Sequence, residues 1–436
     1  MKIVLVSTYE LGHRPLGLAS PQAWLVRAGH NVFPVDLARS PLSLSLIGNA
    51  DAVAFSLPMH TATRLALPWI ERVRRANPTA RIACYGLYAP LNAGLLKEAG
   101  AEAVIGGEYE QALVDWASGK RVSEVSLDKL QFVMPDRTGL AGDYAQLREA
   151  GESKAIAYTE ASRGCKHLCR HCPIVPVYQG QFRVVQRDIV LQDLRQQIAS
   201  GAQHVTFGDP DFFNGPSHAM RIVEALHAEF PHVTYDATIK VEHLLKHRGL
   251  LRPLKETGCL FVVSAVESLD DAVLKKLEKG HTRADFFEAV RLTREAGLSM
   301  QPTFLAFTPW TTLESYRELL RAIHDLQLVE SVASVQLALR LLITSSSRLL
   351  ELEDIRVAAG PFNKLLLVHP WTHANPSVDA LGARVFRLVD RLQKQSQTRS
   401  QIFAAIWEEA GNDPLPENFR VMPRIAEPYL DEPWYC

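Results

Sequence analysis

The sequence predicts an α/β protein in which two parallel-sheet modules stand in tandem ahead of a helical extension. Three observations carry this. Over residues 1–120, short near-continuous apolar runs alternate with amphipathic stretches, the pattern of a parallel sheet covered on both faces. A second strand–helix series of six units begins at Ala155. Beyond about residue 345 the strand pattern stops and helical periodicity remains.

In the first module (1–120) strands are predicted at 2–9, 31–37, 52–57, 81–86 and 102–105, and helices at 21–28, 62–76 and 91–99. Gly29 and Gly100 stand where helices stop, and the stretch 40–46 is ambiguous. This order reads as a flavodoxin-like (Rossmann-type) domain, whose ligands sit at the carboxyl ends of the strands. Residues 121–154 are polar and irregular, with a turn at Met134-Pro135-Asp136-Arg137, and read as a linker that packs on its neighbours.

The second series places strands at 155–161, 204–208, 234–239, 260–266, 300–307 and 334–339. Helices are expected between them at 189–200, 217–229, 270–276, 283–296 and 313–326. Six such units fit a partial (βα)6 barrel over 155–345, with its chemistry on loops at the carboxyl ends of the strands. The extension, 346–436, carries helices at 381–393 and 400–410 and a proline-rich tail.

Composition excludes some classes. Apolar residues make up 47% of the chain, charged residues 22%, and the formal net charge is −1, so no global attraction to nucleic acid or anionic membrane is expected. No apolar run approaches the roughly 20 residues of a membrane helix, and residues 1–7 read as a strand and not as a signal peptide. A cytoplasmic protein without membrane or nucleic-acid partners is the expectation. Six cysteines in a chain this long do not suggest a disulfide framework.

Three of the six crowd into one segment, Gly164-Cys165-Lys166-His167-Leu168-Cys169-Arg170-His171-Cys172, directly after the first barrel strand. Thiolates are the preferred ligands of iron–sulfur clusters and of zinc. Three cysteines at C-x3-C-x2-C can hold three irons of a 4Fe-4S cubane and leave the fourth open, as a catalytic cluster requires. Gly164 allows a tight backbone turn there. The same residues allow a Cys3His zinc site with His167 or His171 as fourth ligand; the position after a barrel-opening strand favours the cluster.

A C-x3-C-x2-C loop after strand one of a βα barrel resembles the signature of the radical S-adenosylmethionine (SAM) superfamily. The resemblance implies that SAM chelates the open iron and is cleaved by one electron from the cluster. His171 stands where the superfamily usually has an aromatic residue, and its flat imidazole is suited to stack near the adenine. The segment Phe207-Gly208-Asp209-Pro210-Asp211 stands where a Gly-Gly-Glu-like stretch binds the SAM ammonium, which makes Gly208 and Asp209 candidates, with Asp211 second. Val263-Ser264-Ala265-Val266-Glu267-Ser268, followed by Lys279-Gly280-His281-Thr282, resembles the "G-x-E-S … K-G-x-T" stretch with Ala265 in place of glycine. It implies polar SAM contacts from Ser264 and Glu267. Lys240, Gln301 and Thr303 sit where strands three and five could also face the pocket. Arg340, in an apolar strand, needs a carboxylate if buried, from SAM or from the protein.

A flavodoxin-like domain ahead of such a barrel resembles the cobalamin-dependent branch of that superfamily. Pro135-Asp136-Arg137 and Gly106-Gly107-Glu108-Tyr109-Glu110 fit the branch. The D-x-H-x-x-G motif that supplies a histidine to cobalt in several cobalamin proteins is missing; the matching loop runs from Glu10 to Gly17. His13 and His60 are the candidate axial or near-axial groups. The tail Pro423-Arg424-Ile425-Ala426-Glu427-Pro428-Tyr429 resembles the end of a radical SAM group named for its Cys-Cys-Ala-Glu-Pro or Cys-selenocysteine-Ala-Glu-Pro tail (CCAEP/CUAEP), with Arg424-Ile425 in place of the redox pair. Cys436 is either a thiol that enters the site or an exposed tail.

The resemblance thus implies an enzyme that modifies a small molecule, first as a cobalamin-dependent C-methyltransferase of specialised metabolism fed by an external electron donor such as flavodoxin or ferredoxin. Without cobalamin, a radical rearrangement or 3-amino-3-carboxypropyl transfer (organoarsenical-type chemistry) remains. A non-catalytic metal-binding or electron-transfer protein would have no need of the loops around Asp209 and Glu267.

Overall fold

In the computed structural model, which describes all residues except 143, 150, 412, 413, 418, 421–427 and 432–436, the first module is a six-stranded parallel sheet. Its strands are β1 (Lys2–Ser7), β2 (Asn31–Asp36), β3 (Ala52–Ser56), β4 (Arg81–Tyr85), β5 (Ala103–Gly107) and β6 (Val125–Ser126), in the order β2-β1-β3-β4-β5-β6. Helices α1 (Leu16–Arg27), α2 (Leu44–Gly48), α3 (His60–Ala76), α4 (Ala93–Glu98) and α5 (Tyr109–Ala117) connect them. Side chains alternate along each strand. Ile3, Leu5, Ala52 and Ala54 pack with Leu18 of α1 and Trp116 of α5, while Val4, Val6, Val53 and Phe55 pack with Ile70 and Val73 of α3 on the other face. Burial of both faces is why these strands read as continuous apolar runs.

Helix α1 starts earlier than predicted and takes Pro21 into its interior. Pro21 has no N–H to give the Gly17 carbonyl one turn back. That carbonyl accepts from the Tyr85 hydroxyl at 2.7 Å instead, which offsets much of the usual cost.

The second sheet has the order β14-β13-β12-β11-β8-β7-β15. Its parallel strands are β8 (Glu152–Thr159), β11 (His204–Phe207), β12 (Thr234–Thr238), β13 (Cys259–Glu267) and β14 (Ser299–Phe304). β7 (Gln146–Glu149) and β15 (Tyr429–Leu430) extend it in antiparallel fashion, and a small ribbon of β9 (Ser162–Gly164) and β10 (Phe182–Val184) leads to and from the cysteine loop. Helices α6 (Val175–Tyr178), α7 (Arg187–Ala199), α8 (Pro216–Glu229), α9 (Val241–Lys246), α10 (Leu251–Glu256), α11 (Asp271–Lys276), α12 (Arg283–Glu295) and α13 (Leu313–Asp325) follow in turn. The sheet curls into a half-barrel whose edges are tied where Gln301 of β14 donates to the Pro428 carbonyl at 2.6 Å.

The expected sixth strand is displaced. Residues Ser334–Leu337 form a 3-10 turn, and the barrel position is taken by Leu339–Leu341, bridged to Phe307 through Phe307 N–H to Leu339 O and Leu341 N–H to Phe307 O. The cause is Gln336, whose side-chain oxygen accepts from the Phe304 amide and so replaces the ladder bond a strand would have made.

The segment 121–154 packs closely on the barrel. Arg137 is buried and binds both oxygens of Asp193 on α7 at 2.7 and 2.8 Å, and the Tyr158 carbonyl at 2.7 Å. Beyond the barrel come α14 (Glu353–Ala358), α15 (Pro376–Lys394) and α16 (Arg399–Glu409). Val385, Val389, Phe403 and Ile406 from this extension complete the barrel's core. No helix among the described residues is long and apolar enough to cross a membrane.

Candidate active site

β9 runs straight into the cysteine loop. Gly164 adopts φ +74°, and a Cβ there would lie 2.3 Å from Tyr178 Cδ1, so only glycine lets the chain turn into Cys165. The loop is pinned from several sides. Asn214 accepts from the Lys166 amide and donates to the Gly164 carbonyl, both at 3.3 Å. Arg170 N–H donates to Leu277 O at 3.0 Å, and Arg348 Nη1 donates to Leu168 O at 2.6 Å.

Cys165, Cys169 and Cys172 are free thiols, the first two buried and the third nearly so. Burial pushes the Cys172 thiol up to about 12 and also raises Cys165. Bound iron would be what deprotonates them. The Lys240 ammonium lies 3.9 Å from the Cys169 sulfur.

Neither neighbouring histidine completes a Cys3His set. His171 Nε2 is 3.1 Å from Glu267 Oε1, and His167 turns to Asp211 and Glu242. Among the described residues, one group of three such side chains brings its ligand atoms within 4.8 Å of one another, and it is His167, Asp211 and His243, without a cysteine. Thiolates on a single zinc stand about 3.8 Å apart. Wider spacing suits a cubane in which each thiolate has its own iron.

The loop after β11 splits the roles of its two carboxylates. Asp209 accepts from the Ala161 amide at 2.8 Å and the Ser162 hydroxyl at 2.6 Å, and burial, only partly offset by these bonds, pushes its carboxyl up to about 7. It ties β11 to the entry of the cysteine loop. Asp211 instead faces that loop; burial alone would raise its carboxyl, but His167 and His243 outweigh burial and hold it well below the usual range. Gly208 lies under the Tyr158 hydroxyl, which a Cβ would meet at 2.0 Å.

At the end of β13, Glu267 takes φ +71° and meets Lys279 Nζ at 3.3 Å as well as His171. Burial would raise its carboxyl, yet Lys279 and His171 bring it down to about 2. Ser264, fully buried on the same strand, has a hydroxyl without a hydrogen-bond partner. Arg340 is drawn away from this group: it pairs with Asp379 at 2.8 Å and stacks on Trp371 at 3.9 Å.

A cavity of about 430 Å³ joins the two modules. Its upper wall comes from the carboxyl ends of β1, β3 and β4, including Glu10, His13, Pro58 and Gly86, and its lower wall from the barrel, including Tyr158, Gly208, Asp236, Gln301 and Thr303. His13 stacks against Tyr158 with ring centres 4.9 Å apart. His60 lies outside this lining and bonds the Leu366 carbonyl at 2.8 Å. Burial, with Asp36 and Glu160 adding like charge, raises the Glu10 carboxyl to about 8.

One feature gave no signal in the sequence. Arg163 of β9 sits among Glu110, Glu160 and Glu108 at 2.7, 2.8 and 3.8 Å. Glu108 and Glu110 stand some 50 residues before Arg163 in the chain, so only the fold brings them to it. The tail residues 421–427, and Cys436, lie outside the described residues.

Residues 159–326 match the radical SAM superfamily. The barrel is a radical SAM domain. Hopanoid C-3 methylase of Methylococcus capsulatus is 27% identical over 183 residues, covering 42% of this chain and 35% of that protein. The chain therefore aligns with about a third of that relative's length. The cobalamin-dependent SAM radical enzyme OxsB, solved with aqua-cobalamin bound, superposes with TM-score 0.65 at 14% identity, over 89% of this chain and 67% of that one. The radical SAM methyltransferase TsrM of Kitasatospora setae, solved with cobalamin and a [4Fe-4S] cluster, gives 0.57 at 16% identity, over 75% and 70%. The radical SAM domain and the sheet ahead of it thus share their fold with those enzymes.

Proposed function

We propose that this radical SAM protein is a cobalamin-dependent methyltransferase acting on a small molecule. The observation that carries the reading is the single cavity bounded by the carboxyl ends of the first sheet above and by the barrel mouth below. Residues 1–120 are assigned to cobalamin, 155–345 to the cluster and SAM, with 121–154 as the fastening between them and 346–436 as the extension that holds the cysteine loop.

In this reading Cys165, Cys169 and Cys172 would hold the 4Fe-4S cluster. The cluster supplies the electron that cleaves SAM, and cobalamin supplies methyl relay. Glu267, kept ionised by Lys279 and His171, and the Ser264 hydroxyl are the polar groups assigned to SAM. Asp209 positions the loop. His13 faces the cavity from the β1 loop and is the histidine that would meet cobalamin there, whereas His60 is occupied by Leu366 O. Glu10, protonated near neutral pH, offers a hydrogen-bond donor on the same wall. Asp236, Gln301 and Thr303 line the bore below and suit a small polar substrate. Reduction calls for an external one-electron donor of the flavodoxin or ferredoxin type.

The test is product analysis of the anaerobically reconstituted chain with SAM and reductant. Formation of both 5′-deoxyadenosine and S-adenosylhomocysteine supports methyl transfer. Methylthioadenosine as the SAM product would overturn it in favour of aminocarboxypropyl chemistry.

A further inference from the structure

Beside the cysteine loop lies a set of side chains that none of these roles uses. Asp211 follows β11, His243 stands on α9, and His167 lies inside the C-x3-C segment. His243 Nδ1 is 2.6 Å from Asp211 Oδ2, and His167 Nε2 is 3.6 Å from the same oxygen and 3.3 Å from His243 Nε2. Asp211 and His243 are 0% and 1% exposed. For all their proximity, Asp211 Oδ2 and His243 Nδ1 both lack a hydrogen-bond partner. Two buried polar atoms this close that fail the directional requirement of a hydrogen bond are not aimed at each other. A cation shared with His167 would satisfy both.

We propose that His167, Asp211 and His243 bind a divalent first-row transition metal ion, separate from the iron–sulfur cluster. Two imidazoles and a carboxylate form a borderline ligand set that suits zinc, ferrous iron, cobalt or manganese. Ligand atoms held at about 2.0–2.2 Å around one ion stand about 2.9–3.4 Å apart, and the observed 2.6 and 3.6 Å bracket that range.

The surroundings are those of a metal site. Asp211 Oδ1 accepts from the Phe213 amide at 3.2 Å, which fixes the carboxylate and leaves Oδ2 for the ion. Glu242 Oε2 lies 3.6 Å from His167 Nδ1, beyond a hydrogen bond but on the side from which a carboxylate backs a metal-bound imidazole. The ion would tie the cysteine loop to the β11 loop and to α9, three pieces distant in sequence, and so hold the cluster ligands in place.

The experiment uses the full chain, reconstituted anaerobically with iron and sulfide, equilibrated with Zn²⁺ alone, gel-filtered, and analysed for zinc and iron separately. One zinc per chain is expected in addition to the cluster iron, and it should persist in the Cys165→Ala/Cys169→Ala/Cys172→Ala variant. Asp211→Asn and His243→Gln should each weaken zinc binding by more than about tenfold, the cost of disturbing even a ligand's support, with unchanged circular dichroism. If either variant fails to fold, His167→Gln, on the outer side of the set, carries the same expectation. Zinc absent from the wild type, unchanged in the ligand variants, or lost with the three cysteines would overturn the proposal. Acid-labile sulfide, which a mononuclear site lacks, reports the cluster independently, so failure here is distinct from failure of the methyltransferase reading.

Discussion

Arg163 Nη1 lies 2.7 Å from Glu110 Oε1, both side chains buried, and this contact joins β9 of the barrel to α5 of the first module. Arg163 enters the cysteine loop two residues later, so the junction between modules and the cluster ligands share a backbone. Three carboxylates surround one guanidinium, and burial of so much charge is tolerable only while Arg163 is present.

Arg163→Met should therefore destabilise the chain by about 3–5 kcal/mol, the cost of leaving a buried charge unpaired. Glu110→Gln should cost less, because Glu160 and Glu108 still face the guanidinium. Chemical denaturation of the two variants checks the order, and a Glu110→Gln loss equal to or above that of Arg163→Met contradicts it.

Gly164→Ala should lose the cysteine loop's shape. The positive φ costs about 1–3 kcal/mol for a side-chain-bearing residue, and the new Cβ meets Tyr178 at 2.3 Å. Iron bound per chain after reconstitution should fall well below wild type while far-ultraviolet circular dichroism is preserved.

Asp209 separates a positioning role from a SAM-binding one. Asp209→Ala leaves the buried Ala161 amide and Ser162 hydroxyl without their acceptor. A loss of about 1–3 kcal/mol in stability is expected, along with reduced iron loading. Equilibrium SAM binding by the fraction that retains its cluster should be unchanged. A SAM dissociation constant raised in that fraction would instead make Asp209 a direct ligand.

Glu10 imposes a pH dependence with a definite sign. Its carboxyl is raised from an ordinary 4.5 to about 8 in the folded chain, so the unfolded state loses its proton first. Stability is undiminished below about pH 4.5 and falls as pH rises toward 8. Glu10→Gln should remove this part of the slope; thermal melts of both proteins across pH 5–8 check it, and parallel curves would contradict it.

Much of this was readable from the chain. The strands of the first sheet are legible because both faces are buried and the apolar runs are unbroken. The cysteine loop is legible because spacing and a preceding strand are local facts. Direction is what local patterns lack. Asp209 and Asp211 are two residues apart in one turn-like segment, and only the fold shows that one ties backbone while the other faces the cysteine loop. Arg340 finds Asp379 from a helix 39 residues on, beyond any motif. The apolar stretch 334–339 reads as a strand, but a buried 3-10 turn has the same composition, and the deciding bond is made by one glutamine side chain. β15 pairs with β7 across some 280 residues and is two residues long, too short to show a period.

The central claim is that Cys165, Cys169 and Cys172 hold a four-iron cluster and that the cavity between the two modules holds cobalamin. Metal analysis after anaerobic reconstitution with iron, sulfide and hydroxocobalamin, on wild type beside Cys169→Ala, tests it most directly. The expected result is about four irons and one cobalt per wild-type chain, with cobalt retained and iron and SAM cleavage lost in Cys169→Ala. Full iron and SAM cleavage in Cys169→Ala, or a wild-type chain that takes up iron but no cobalt, would contradict the account.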